Sequence, residues 1–400
     1  MSKSNKTTPN VPTLRFADYT DEWHKYALSD FVTRITRRNK NNESSLPLTI
    51  SAQYGLVDQI TFFNKTVASV DLSGYYLLYN GDFAYNKSYS NDYAWGAVKR
   101  LDKYEKGCLS SLYFVFRPTD KVDSDYLTHY FETNKWHKGI SDIAGEGARN
   151  HGLLNMAVDD YFATKHYLPS LSEQKKIACF LNLITKRIEI QNKIISKYET
   201  LIKGLSCDYF SKQPNHIAKL KDLIIKGKAG GTPSSTIAEY YNGNIPFLSI
   251  SDMTRQGKYV EFTEKHISEN GLANSSAWIV PSNSLILSMY ASVGLVCINK
   301  VPLATSQAMF SMVLKDCNML DYIYYYLNFF RETQIHRLLE TGTQSNINAD
   351  TVRDIEIPFY SNILVFVKTL QAIENRLNNE KDMLSRLMDL KTYLLSSLFI

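Results

Sequence analysis

One apolar seam is written twice in this chain, 189 residues apart. Ile177, Leu181, Ile184, Ile188, Gln191, Ile195, Tyr198, Ile202, Leu205 and Tyr209 follow one another in steps of four and three. Moving 189 residues on, the same steps meet Phe366, Leu370, Ile373, Leu377, Glu380, Leu384, Leu387, Lys391, Leu394 and Leu398. Alternating steps of four and three are a heptad a/d seam, which is the sequence sign of a coiled coil. A period of this length is too long for a solenoid and implies two copies of one module. Both copies put a polar residue at the same seam position, Gln191 and Glu380. Either a buried polar layer fixes register there at some cost in stability, or that layer lies near solvent. Lys391 weakens the second seam, with Leu390 and Leu394 expected to cover it.

The first helix has a legible start, since Ser170 and Glu173 form an S-x-x-E capping box just after Pro169. Each helix should run roughly 38–40 residues, about 60 Å at 1.5 Å per residue. A helix that long with one apolar stripe needs a partner. The two copies can supply it as an antiparallel pair, which would put the two flanking blocks at opposite ends. The alternative is that each helix packs only on its own domain.

A block of similar size precedes each helix. The first shows short apolar or alternating runs at Leu46–Ser51, Gly74–Leu78 and Leu112–Phe116, which suggest mixed α/β structure. The second echoes it. Ile245–Ser251 matches the Pro47 strand, and Asn283–Ser288 matches Asn80–Tyr85. Asp321–Leu327 matches a helix at Asp125–Phe131, and Gly342–Asn346 sits where Gly147–His151 sits. The expected domains are 1–168, with 1–10 a polar tail, then a helical spacer 169–213, a second block 214–357 and a second spacer 358–400. The expected fold class is therefore two α/β (α+β) blocks in a pseudo-two-fold repeat, separated by two long helices forming an antiparallel coiled coil. Four hundred residues accommodate two to three domains.

Composition sets limits rather than function. Apolar residues at 44% and charged residues at 21% describe an ordinary soluble protein. A net charge of +5 is compatible with nucleic acid without requiring it. The 27 tyrosines suit wet binding surfaces, though AT-rich codon usage would give the same excess. No run of 18 apolar residues predicts a membrane span, and Met1–Thr8 lacks the apolar core of a secretion signal. Five scattered cysteines without a CxxC fit reduced thiols in a cytoplasm. Several chemistries are missing. Lys226–Thr232 is glycine-rich but lacks the G-K-[ST] end of a P-loop. The eight histidines show no metal-ligand spacing, and no N-P-P-[YFW] methyltransferase tetrapeptide occurs. Asp102–Lys106 is at best a degenerate nuclease-like cluster and reads equally as a solvated turn. The chain reads as a binding scaffold that recruits an enzyme.

These residues together resemble the specificity (S) subunit of type I restriction-modification systems. Val11–Phe16 followed by Glu22-Trp23 looks like that family's start. Gly81–Ser90 is similar to one class of its target recognition domains. Gly231-Thr232-Pro233, followed by Tyr240–Pro246 and Ile250–Met253, is similar to another. Leu168–Ile177 resembles the start of its first conserved helix, with the P-x-x-x-E-Q-x-x-I pattern, whereas the second junction, Ile357–Ile363, lacks the E-Q pair. The resemblance covers essentially the whole chain. It implies a non-catalytic subunit whose two recognition domains each read one half of a split double-stranded DNA target, with the helices setting the gap. It also implies two modification subunits that methylate adenine with S-adenosylmethionine, and restriction subunits using ATP and Mg, all of these cofactors lying on the partners and none on this chain.

Base readout needs side chains with paired donors and acceptors, and phosphate contact needs cations, hydroxyls or loop amides. In the first block the candidates are Lys87, Ser88, Tyr89 and Ser90, then Arg149, Asn150 and His151. Lys99 and Arg100 are candidates for phosphate contact, as are Arg34, Arg37, Arg38 and Lys40, although Arg37–Lys40 could equally be a solvated turn. In the second block they are Thr232, Ser251, Tyr290, Ser306, Gln307, Thr343, Gln344 and Asn346. Competing readings are a stand-alone bipartite DNA-binding protein, a fused restriction enzyme, a coiled-coil assembly protein, and an unexpressed or recombining specificity cassette.

Overall fold

The computed structural model describes residues 10–65, 67–89, 93–144, 152–337 and 346–400. The chain divides into two compact units, one made of residues 1–192 and 382–400, the other of 193–381. The division cuts both long helices near mid-length instead of separating helix from block. The expected tail lies, apart from Asn10, outside the described residues.

In the first unit, strands β1 (His24–Ala27) and β6 (Lys165–Leu168) form an antiparallel ribbon where the chain enters and leaves the block. Between them, β2 (Val32–Arg34), β3 (Phe83–Asn86), β4 (Ala97–Arg100) and β5 (Phe114–Pro118) form an antiparallel sheet in the order β2-β5-β3-β4. The anticipated runs near 48 and 76 are strands, Leu48–Ser51 and Tyr76–Tyr79, each in its own two-stranded sheet. Helix α1 (Ser124–Tyr130) starts on Asp123, whose carboxylate accepts from the Tyr126 amide at 2.9 Å.

The second unit repeats this plan. Strands β7 (His216–Lys219) and β13 (Glu356–Phe359) form the closing ribbon. A five-stranded sheet runs in the order β8-β12-β10-β11-β9. Its strands are β8 (Ile224–Ala229), β9 (Tyr259–Val260), β10 (Leu285–Ser288), β11 (Val296–Asn299) and β12 (Met309–Leu314). Of the glycine-rich stretch Lys226–Thr232, the part up to Ala229 is strand. A smaller sheet joins Tyr241–Leu248 to Lys265–Ile267 and Ala304–Thr305, and helix α3 spans Leu320–Thr333.

The long helices are α2 (Leu171–Phe210) and α4 (Ile363–Ser397). Every seam position is buried or half-buried in both helices, while flanking positions are mostly exposed. In the first unit Ile177 and Leu181 share a core with Leu394, Leu398 and Phe399, which requires α2 and α4 to run antiparallel. In the second, Tyr209 stacks on Phe366 with ring centroids 3.8 Å apart. Burying one such side chain is worth about 1.5–3 kcal/mol. Gln191 is fully buried, so its layer is not a solvent-exposed one. Leu390 is exposed and does not cover Lys391; the Lys391 amine instead meets Glu132 at 3.0 Å.

The capping box is only half made. Ser170 Oγ accepts from the Glu173 amide at 3.4 Å, but the Glu173 carboxylate does not return to the cap. It is buried and takes both Nε and Nη2 of Arg15 at 2.8 Å each. Gln174, also buried, accepts from the Asp123 amide at 2.8 Å and donates to the Pro169 carbonyl at 3.0 Å. The E-Q pair therefore ties the N-terminal arm and α1 to the start of α2. At the second junction, which lacks the pair, the Tyr322 hydroxyl donates to the Pro358 carbonyl and holds the equivalent proline.

A polar joint also recurs. In the first unit Arg100 meets Asp125 at 2.7 Å, and Asn182 of α2 donates to the same carboxylate at 2.8 Å. In the second, Lys258 meets Asp321 at 2.7 Å, and Gln371 of α4 donates to it at 2.7 Å. The aspartate is kept in both joints, while the cation changes from arginine to lysine and the amide from asparagine to glutamine.

Candidate nucleic-acid interface

Antiparallel pairing decides which loops share an edge. In the second unit β8 ends, β12 begins, β10 ends and β11 begins at one edge of the sheet. Phe247 and Leu248 pair in parallel with Ala304 and Thr305, so Ser249–Ser251 and Ser306–Gln307 leave their strands toward the same side. Backbone hydrogen bonds then stitch these loops together. The Gly230 amide donates to the Met309 carbonyl (3.1 Å), and the Gly231 amide to that of Thr305 (2.9 Å). The Met289 amide donates to Ala308 (2.8 Å), and the Ile347 amide to Met289 (3.1 Å). Thr232, Ser251, Tyr290, Ser306, Gln307 and Asn346 thus lie on one rim. Thr232 and Gln307 touch directly, Thr232 Oγ1 donating to Gln307 Oε1 at 2.5 Å. Thr343 and Gln344 lie outside the described residues.

The glycines of the G-G-T-P stretch explain how these loops come so close. A Cβ on Gly230 would lie 2.0 Å from the Thr305 carbonyl oxygen, and one on Gly231 2.2 Å from Ser276 Oγ. Only glycine permits that approach. At the neighbouring turn, Ala291 (φ 32°), Ser292 (φ 57°) and Gly294 (φ 78°) all have positive φ. The Ser288 hydroxyl bonds the carbonyls of Tyr290 and Ala291 and secures it. Exposed cations on β8 stand near this edge. Lys226 sits 4.1 Å over the Trp278 ring, and Lys228 is open to solvent.

The first unit forms a comparable rim where β3 ends and β4 and β5 begin. Lys87, Ser88 and Tyr89 follow β3 there. The segment emerging at Gly152 pairs with them, the Tyr89 amide donating to Gly152 (3.1 Å) and the Leu154 amide to Lys87 (3.0 Å). The Lys87 amine lies 4.7 Å over the Phe114 ring, and partial burial lowers its pKa. Gly96, at φ 76°, closes the loop against Asn86, whose carbonyl oxygen a Cβ would meet at 2.1 Å. Ser90, Arg149, Asn150 and His151 lie outside the described residues. Gly152–Leu154 itself lies on this rim.

Four other candidates sit elsewhere. Lys99 and Arg100 are at the far end of β4. Burial lowers the pKa of Lys99, partly offset by Glu132. Arg100 is clamped by Asp102 at 2.6 Å and Asp125 at 2.7 Å, and these carboxylates raise its pKa against the effect of burial. Arg37 bonds the fully buried Asp82 at 2.7 Å, and Arg38 donates to the Gly74 carbonyl while stacking on Tyr76. These are internal ties of the block, and only Arg34 and Lys40 of the basic run are exposed. The signal missed in the sequence was the pairing of Arg37 and Arg117 with Asp82, residues far apart in the chain.

Among the described residues no group of three His, Cys, Asp or Glu could hold a metal, and no helix is long and apolar enough to cross a membrane. The rims offer amides, hydroxyls, a glutamine and lysines. They can hydrogen-bond bases and phosphates.

Comparisons with known proteins point the same way. Residues 214–381, all within the second unit, match the family model described as the type I restriction modification DNA specificity domain. The MjaIX specificity subunit of Methanocaldococcus jannaschii is 30% identical over 147 residues, 36% of this chain and 34% of that protein. The HindI specificity subunit of Haemophilus influenzae is 31% identical over 180 residues, 43% of this chain and 38% of that one. The alignments thus span little more than a third of each relative. Among solved structures, the type I restriction-modification S subunit from M. genitalium has a TM-score of 0.57 at 15% identity, covering 98% of this chain and 99% of that one. A chain from a study of type I restriction-modification complex assembly and conformational transition scores 0.58 at 16% identity, covering 94% and 97%. At these identities the likeness speaks for fold alone, two mixed helix-and-sheet blocks with a pair of long helices. Family model, relatives and fold agree in kind: residues 214–381 match the type I restriction modification DNA specificity domain, parts of the chain are similar to type I specificity subunits, and the whole chain shares the fold of solved S subunits.

Proposed function

We propose that this chain is the non-catalytic DNA-reading subunit of a cytoplasmic type I restriction-modification complex. Each unit lays its loop rim on one half of a bipartite double-stranded target. The two long helices, each contributing residues to both units, set the number of unspecified bases between the halves. Two modification subunits dock on the chain and methylate adenine with S-adenosylmethionine, and restriction subunits bring ATP and Mg. The observation that carries this reading is the repeated rim. In both units the sheet ends and their loops are tied edge to edge by main-chain hydrogen bonds, leaving polar side chains facing out. Such a surface reads base edges and phosphates. The candidate readers are Lys87, Ser88, Tyr89, Ser90, Arg149, Asn150 and His151 in the first unit. In the second they are Thr232, Ser251, Tyr290, Ser306, Gln307, Thr343, Gln344 and Asn346.

The test is base-resolution mapping of adenine methylation in cells that carry the chain with its neighbouring modification gene, with and without the chain. A split motif with a fixed gap that disappears on deletion is expected. An unchanged methylome alongside an active methyltransferase would overturn the assignment in favour of a stand-alone DNA-binding protein or a silent cassette.

A further inference from the structure

We infer that Gln307 reads an adenine in the half-site of the second unit, and that Thr232 is a positioning residue that holds its side chain in place. The inference rests on the DNA-reading role proposed above and goes further by naming the base and the atoms.

Gln307 occupies the tip of a tight turn whose backbone is held on three sides. The Met309 amide donates to the Ser306 carbonyl at 3.1 Å, and the Ala308 amide to Ser306 Oγ at 3.3 Å. The Ala308 carbonyl accepts from Met289 at 2.8 Å. The side chain is exposed, yet it too is held, by Thr232 at 2.5 Å. That contact comes within reach because Gly230 lets its strand end press against the Thr305 carbonyl and Gly231 lets it pass close to Ser276. An exposed glutamine loses rotamer freedom when pinned, and a solvent-facing hydrogen bond returns little net stability. Pinning it is useful when the side chain must meet a ligand in one orientation.

The pairing groups of the amide define the ligand. With one lone pair of Oε1 engaged by Thr232, the exposed amide keeps a second lone pair and two Nε2 hydrogens for a ligand. Adenine presents an N6–H donor and an N7 acceptor side by side in the major groove, which is the matching pair. Guanine would set its O6 acceptor against Oε1, and thymine offers an acceptor beside a methyl group. The Thr232 contact holds the amide in place, and the choice of adenine follows from the amide carrying one donor beside one acceptor.

The experiment uses the full chain assembled with its modification subunits and compares wild type, Gln307→Ala, Thr232→Val and Thr232→Ser. Both residues are exposed, and unchanged thermal melting confirms that the variants fold. Relative methylation is measured on duplexes carrying every base at each second-half position. Gln307→Ala should lose about 10-fold to 100-fold discrimination at one adenine position and keep the first half-site intact. Thr232→Val should lose part of it, and Thr232→Ser should restore it. Replacing that adenine by 7-deazaadenine should weaken wild type and leave Gln307→Ala unmoved, a response that a structural role would not give. If methylation still requires the chain but Gln307→Ala keeps full discrimination, or the relaxed position is not an adenine, the inference is overturned while the DNA-reading role stands. If methylation does not require the chain at all, the role itself fails.

Discussion

Arg15→Ala should unfold the first unit far more readily than the loss of a surface arginine would. Glu173 is 1% exposed, and its two oxygens take Arg15 Nε and Nη2 at 2.8 Å each. Removing the guanidinium leaves a carboxylate in the core with no counter-charge. Breaking a buried pair in this way costs about 3–5 kcal/mol, and because Arg15 itself keeps 14% of its side chain exposed, the lower end, about 3 kcal/mol, applies. Removing both charges is different. Arg15→Met with Glu173→Leu replaces the pair by apolar surface of similar volume and should come within about 1–2 kcal/mol of wild type. Lys176→Ala is the control, since the Lys176–Asp18 pair is well exposed at 43% and 71% and should leave the transition where it is. The assay is urea unfolding followed by tryptophan fluorescence in a Trp278→Phe background. The remaining Trp23, Trp95 and Trp136 then all lie in the first unit. A shift below about 1 kcal/mol for Arg15→Ala, or a double variant worse than the single, would refute the reasoning that Glu173 is held in the core by Arg15.

Two further outcomes follow from the same structure. His166 is buried between the Tyr130 hydroxyl and Thr164 Oγ1, each at 2.8 Å, and burial pushes its pKa down to about 4. The unfolded imidazole titrates near 6.5, so the unfolded chain binds the extra proton between those values. Stability of the first unit is therefore full above about pH 6.5 and falls as pH drops toward 4, by about 3 kcal/mol at most; His166→Gln should flatten that dependence in urea midpoints measured at pH 7 and pH 5. Gly230→Ala places a methyl group 2.0 Å from the Thr305 carbonyl, so the loop must move by more than 1 Å. Methylation mapping should then show degraded recognition of one half-site with the other unchanged.

Much of the architecture could be read directly from residue spacing. Steps of four and three from Ile177 to Tyr209 and from Phe366 to Leu398 demand two paired helices, because only burial of that stripe stabilises them. The echo between Asp125 and Asp321 was likewise legible and proved to mark a recurring joint with an amide from a long helix. Long-range polar pairing was not legible. Glu173 has the spacing of a capping residue, and local geometry alone would return it to Ser170. A partner 158 positions away, Arg15, outcompetes that contact because a charge-assisted bidentate pair is the stronger interaction. Arg100 and Arg37 look in sequence like free cations for phosphate, yet buried or nearby carboxylates hold them. The rims were half visible. Residue type nominated Thr232, Gln307 and Tyr290, but only sheet order shows that strand ends separated by dozens of residues share one edge. The closing ribbons were invisible for the same reason, since His24–Ala27 and Lys165–Leu168 carry no pairing signal of their own.

The way the units divide the chain also has a consequence for biosynthesis. The second unit is one uninterrupted stretch, 193–381, whereas the first needs residues 382–400 to complete its core, with Leu398 and Phe399 packed against Tyr126 and Tyr130. Domains usually fold in the order in which they leave the ribosome. Here that order is reversed. The block synthesised first must wait, with part of its apolar surface uncovered, until residues 382–400 have emerged, while the block synthesised second can close beforehand. The nascent first block is therefore where a holding chaperone should bind, and where slow release of these last segments should cost yield.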